Sequence, residues 1–164
     1  MNIKKEIKKV ASRPDLMSIM QESIAPSIID VTDKLKVVKR SLLMQLFGGV
    51  SRINADGTRN RGDIHILLMG DPGVAKSQLL TYMSKLAPRA RFASGGNISA
   101  AGLTAAAIRD SFGDGRFTLE AGVLPLADLG IACIDEIDKI SNEDKGSLHE
   151  AMEQQQISVS KGGI

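Results

Sequence analysis

The chain has 164 residues, 43% of them hydrophobic and 24% charged, with a mean hydropathy of −0.02, which suits a soluble globular domain and is long enough to bury a core. A net charge of +2 is too small to argue for nucleic acid, and no apolar run reaches the ~18 residues of a membrane-spanning helix. The charged N-terminus lacks the apolar stretch of a secretory signal, and a single cysteine, Cys133, cannot form an internal disulfide; both fit a reducing intracellular compartment.

In chain order, Lys4, Lys5, Lys8 and Lys9 interleave with Ile3, Ile7 and Val10 at helical spacing, so residues 1–22 read as a basic, amphipathic helical segment with a solvated face. Asp15 to Phe47 is helical by pattern, broken at Ala25-Pro26. Its apolar face is Val37, Val38, Leu42, Leu43, Leu46 and Phe47, with the lysines largely elsewhere, and Gly48-Gly49 ends it. Residues 51–62 read as a loop. The apolar run Ile64-His65-Ile66-Leu67-Leu68-Met69, bounded by glycines, predicts a buried parallel strand. A helix from Lys76 to about Leu86 follows, then a short strand around Arg91-Phe92-Ala93. Gly95 to Gly102 is small and flexible, and Leu103 to Ser111 is helical by pattern. Asp114-Gly115 between apolar flanks is a hairpin signal. Ile131 to Ile134 predicts a buried strand with Cys133 as a small core residue. Ser141 with Asp144 resembles a capping box opening a last helix, with Leu148 and Met152 on one face. Strands alternating with helices argue for an α/β domain with a parallel sheet flanked by helices in three layers.

Two motifs carry chemistry. Gly70-Asp71-Pro72-Gly73-Val74-Ala75-Lys76-Ser77 stands between a predicted strand and a predicted helix. Such a loop turns backbone N–H groups onto phosphates, its lysine reaches the β- and γ-phosphates, and its serine holds Mg²⁺. The following helix adds the partial positive charge of its N-terminus. Ala75 stands where glycine is usual, and alanine fits there only with a negative φ. The second motif is the strand 131–134 ending in Asp135-Glu136. Asp135 suits Mg²⁺ opposite Ser77, and Glu136 suits polarising the water that attacks a γ-phosphate, while Asp138 reads as helix-entry polarity. The two motifs together predict one Mg²⁺–nucleotide site.

Further stretches make a resemblance specific. Ser23-Ile24-Ala25-Pro26-Ser27-Ile28, Leu46-Phe47-Gly48-Gly49, Arg61-Gly62-Asp63-Ile64-His65, Ala100-Ala101-Gly102-Leu103-Thr104, Leu119-Glu120-Ala121-Gly122 and His149-Glu150-Ala151-Met152-Glu153-Gln154-Gln155 accompany the phosphate loop in order. The sequence from residue 23 to 164 thus resembles the ATPase core of the minichromosome maintenance (MCM) replicative DNA helicases. The resemblance implies an AAA+ P-loop fold, ATP with Mg²⁺ as cofactors, a homo- or hetero-hexameric ring and DNA in its channel, away from any membrane. It implies a location in the nucleoid or cytoplasm of a prokaryote or the nucleus of a eukaryote. It also implies two DNA-facing hairpins, one with Arg116 near its tip and one, opening at Ile157, with Lys161 as the contact. Asp30, the run Gly96-Asn97-Ile98, Leu129 and Ile137 depart from the usual family form. The family core continues past Lys161 with a sensor strand, an arginine finger and a lid, so the core is expected to be incomplete on its C-terminal side. Two functional classes follow: a helicase-type ATPase module, or a non-catalytic regulatory module docking on a full-length ring. Another AAA+ motor, chelatase-like or a transcription activator, is disfavoured by Ala75-Lys76 and the Glu-Ala-Met-Glu-Gln-Gln run.

Overall fold

The computed structural model describes residues 3–29, 33–109 and 117–157. Contacts divide the chain into two compact units, Met1–Ala75 and Lys76–Ile164.

The first unit is helical. Helix α1 (Ile3–Ala11) forms as its spacing predicts, and it buries none of its residues. Helix α2 (Leu16–Ser23) stops before Pro26, and the chain resumes as α3 (Lys34–Phe47). Helices α2 and α3 pack together, burying Ile24, Ala25, Leu42 and Leu43, each leucine contributing about 1.5–3 kcal/mol. The expected apolar face of α3 is rotated: Val37 and Phe47 are exposed, whereas Lys39 is buried at 8% exposure. Its Nζ donates to the carbonyls of Ala25 and Ile28, both at 3.0 Å, so the lysine satisfies the turn that Pro26 creates. Gly48, at φ 65°, closes the helix as expected.

Residues 51–62 hold a small hairpin that their composition did not predict, β1 (Arg52–Ile53) antiparallel to β2 (Arg59–Asn60). Asp56 Oδ1 accepts from Thr58 N at 2.9 Å across the turn, an Asx arrangement that local polarity alone makes look like plain loop. The predicted strand at 64–69 does not form. These residues enter no ladder among the described residues, and Leu67 and Met69 are 63% and 83% exposed. Gln45 Nε2 donates to Ile64 O at 3.0 Å, and residues 64–67 line an open groove of about 670 Å³ beside Val37, Arg40, Ser41 and Met44.

The second unit is α/β. Helix α4 (Lys76–Leu86) leads to β3 (Arg91–Ser94), and β3 pairs in parallel with β6 (Ala132–Asp135), Phe92 opposite Cys133 and Ser94 opposite Asp135. Helix α4 packs on both strands, with Leu79, Met83 and Cys133 buried. Between the strands run α5 (Ala100–Leu103), β4 (Ala105–Arg109), β5 (Phe117–Ala121) and α6 (Val123–Leu126). The predicted helix 103–111 is therefore a strand for most of its length. Antiparallel pairing with β5 and the bond from Gly122 N to Thr104 O (2.7 Å) outweigh the modest helical preference of Ala105-Ala106-Ala107. The Asp-Gly signal falls between the two paired strands, in residues outside the description.

Helix α7 (Asn142–Gln154) starts as predicted, with Ser141 Oγ accepting from Asp144 N at 3.1 Å. Leu148 joins Leu103 and Ile140 in the core with Ile98, Leu124, Ile134 and Ile137 packed around them; Met152 is exposed. Among the described residues no helix is long and apolar enough to cross a membrane.

Candidate functional site

The phosphate-loop motif takes the form its spacing requires at the helix end. Residues 72–75 turn, and α4 begins at Lys76, so Lys76 and Ser77 occupy the first helical turn with Lys76 half-buried and Ser77 exposed. Gly73 sits at φ 81° with open space where a Cβ would be. Ala75 does not adopt the negative φ expected of alanine: it lies at φ 61°. The loop imposes a left-handed residue immediately before the helix, and the alanine Cβ bears a cost of about 1–2 kcal/mol there.

The acidic motif is built by β6. Parallel pairing with β3 carries the chain to Asp135, and Gly95 N continues the ladder by donating to Asp135 O at 2.8 Å. A Cβ at Gly95 would lie 2.3 Å from Glu136 O, so only glycine lets the loop after β3 approach so closely. Beyond Asp135 the chain turns sharply, with Glu136 in the left-handed region (φ 50°, ψ 46°), capping a 3-10 turn at Ile137–Lys139. Asp135 Oδ1 accepts from Glu136 N at 2.9 Å. Glu136 Oε2 accepts from Ser94 Oγ at 3.1 Å, and its Oε1 accepts from Lys139 Nζ at 2.5 Å. The bond from Lys139, then that from Ser94, holds the Glu136 carboxyl below its usual range, and Glu136 in turn raises the Lys139 ammonium.

Within the second unit, two packed elements carry four of the motif residues. Lys76 and Ser77 open the helix that packs on β6, and Asp135 and Glu136 stand at the end of that strand. Residues 70–75 belong to the first unit. Arg116 and Lys161 lie outside the described residues. No group of three or more His, Cys, Asp or Glu residues gathers as a metal site among the described residues. One carboxylate and one hydroxyl still suit Mg²⁺, a hard cation that keeps waters and substrate phosphates as its remaining ligands.

Sequence reasoning missed Ser94 and Lys139. The signal for Ser94 lay in its place at the end of a strand paired with the acidic strand, which only the register reveals. Lys139, three residues after Glu136, was within sight as an i, i+3 partner.

The family model described as MCM P-loop domain matches residues 3–164. A "Minichromosome maintenance protein MCM" of Saccharolobus solfataricus is 52% identical over 160 residues, covering 98% of this chain and 22% of that protein. "DNA replication licensing factor mcm5" of Dictyostelium discoideum is 50% identical over 157 residues, covering 96% of this chain and 20% of that protein. "DNA replication licensing factor mcm7" of Schizosaccharomyces pombe is 54% identical over 145 residues, covering 88% of this chain and 18% of that protein. The chain thus spans about a fifth of the length of these curated relatives. A strand-borne Asp-Glu pair, a helix opening on Lys-Ser and a family model matched over nearly the full length together mean that this chain belongs to the MCM family and carries its nucleotide-binding P-loop domain.

Proposed function

We propose that this chain is the ATP-binding and ATP-hydrolysing module of an MCM-type DNA helicase that unwinds duplex DNA in replication. The observation that carries the reading is the packing of α4, which opens on Lys76-Ser77, against β6, which ends in Asp135. In this reading residues 70–77 cradle the phosphates, with Lys76 on the β- and γ-phosphates. Ser77 and Asp135 hold Mg²⁺, which supplies charge neutralisation on the phosphates. Glu136 orients the attacking water and accepts its proton. The water oxygen bonds to the γ-phosphorus, the bond to the β,γ-bridging oxygen breaks, and ADP leaves with that electron pair.

The replication role rests on the names of the relatives, two of them DNA replication licensing factors. The same reading gives the protein a hexameric ring of MCM-type subunits inside the cell, with DNA in its channel. Arg116 and Lys161 would contact the DNA backbone there.

The test is ATP turnover by the full chain with Mg²⁺, beside Lys76→Ala and Glu136→Gln. The expected outcome is loss of nucleotide binding in Lys76→Ala. In Glu136→Gln, binding should be retained while turnover falls about 10²–10³-fold. Nucleotide binding without turnover in the wild type, together with tight association with an intact helicase ring, would replace this reading with that of a regulatory module.

A further inference from the structure

Glu136 is the residue whose surroundings exceed what the reading above requires. Both of its carboxylate oxygens are already engaged, Oε2 by the Ser94 hydroxyl and Oε1 by the Lys139 ammonium. The two donors are held differently. Ser94 is fixed by the ladder, opposite Asp135 in parallel register. Lys139 ends the 3-10 turn that Glu136 opens, and its backbone N–H donates to Glu136 O at 3.0 Å. The lysine stem runs beside Gly96, where a Cβ would stand 3.4 Å from both Lys139 Cδ and Glu136 Oε2. Backbone, glycine and ion pair thus form one local arrangement around a single carboxylate.

Resting on the ATPase reading, we propose that Lys139 is a positioning residue that restrains Glu136, and that hydrolysis needs its ammonium to swing away while Ser94 keeps the other oxygen in place. The Oε1 lone pairs facing Lys139 are not offered to water. In the governed step one water proton passes to Glu136 Oε1 as the water oxygen bonds to the γ-phosphorus and ADP departs with the electrons of the broken bond. Of the two donors, Lys139 is the one that can leave. Its side chain is 53% exposed, that of Glu136 is 44% exposed, and its long stem finds water as soon as it turns outward.

Steady-state ATP turnover of the full chain tests this with wild type, Lys139→Met, Lys139→Arg and Glu136→Gln. Lys139→Met should raise kcat about two- to five-fold, the range open to a half-exposed ion pair, with KM for ATP unchanged. Lys139→Arg keeps a cation and should return the rate to that of the wild type. A kcat for Lys139→Met that is unchanged or lower, with Glu136→Gln strongly impaired, overturns the restraint and leaves the ATPase reading standing. Equal turnover in wild type and Glu136→Gln overturns both. Lys139→Gln, which retains most of the stem, serves if the methionine variant does not fold. Where turnover is too slow to read, the ¹⁵Nζ resonance of Lys139 should move in Glu136→Gln, and an unmoved resonance overturns the contact itself.

Discussion

Residues 64–69 and 131–134 are two short apolar runs of similar kind, each rich in Ile or Leu and each leading to a motif that touches nucleotide chemistry. The second becomes β6, because β3 lies alongside it and the two exchange ladder bonds from Arg91 to Gly95. The first enters no ladder among the described residues and keeps Leu67 and Met69 in solvent. An apolar run specifies a segment able to pair, but a strand is a property of two segments. Where pairing occurs the backbone polar groups are satisfied and the side chains are buried together; where it does not, apolarity alone fixes neither. The acidic half of the candidate site is therefore held by a ladder, and the run preceding the phosphate loop is not.

Hydrogen exchange gives the largest expected contrast. The amides of β6 should exchange at least about a hundredfold more slowly than those of residues 66–69, since they open only with the β3–β6 pair. Equal protection would mean that residues 66–69 find a partner in solution, and the contrast would disappear.

Paired substitutions put the same contrast on an energy scale. Cys133→Ser places a hydroxyl in the core at a position 2% exposed and should cost about 1–3 kcal/mol in urea unfolding. Leu67→Ser, at an exposed position of the other run, should stay within about 0.5 kcal/mol. A comparable loss at residue 67 would show that this run is buried after all.

The phosphate loop offers a smaller and opposite effect. Ala75 is held at φ 61°, so Ala75→Gly removes a Cβ from a conformation that disfavours it. The relief is partly offset by the greater freedom of glycine in the unfolded chain, and a gain of about 0.5–1 kcal/mol should appear as a higher Tm. A lower Tm would mean that the left-handed turn is not retained in solution.

These particulars also mark how far the sequence could be read. Helix α4, its boundaries, the acids at the end of β6, the Ser141 cap and the burial of Cys133 follow from local pattern and are found where expected. Lys139 escaped notice although its partner is only three residues away, whereas the other missed contacts are distant in sequence. Ser94 reaches Glu136 across 42 positions, and Lys39 reaches Ala25 across 14, through a buried ammonium that helical periodicity assigns to the polar face. Strand β4 reads as helix until β5 is beside it. The left-handed turns at Ala75 and Glu136 are imposed by the loops on residues with no intrinsic preference for them.

The smallest effect sharpens the contrast through pH. Burial pushes the Cys133 thiol above its ordinary pKa. Below about pH 8.5 the thiol is protonated in the folded and the unfolded chain, and it adds no pH dependence. Above that value the unfolded chain releases its proton while the native chain retains it, so the native state binds more protons and stability falls as pH rises. The urea midpoint of the wild type should therefore decline between about pH 8.5 and 10 more steeply than that of Cys133→Ala. The counterpart is Leu67→Cys in the Cys133→Ala background, where an exposed thiol titrates alike in both states and should add no slope. A thiol reagent should modify it at once, whereas Cys133 should react only as β3 and β6 separate. If both thiols react at one rate, the ladder that distinguishes the two runs does not persist on the timescale of labelling.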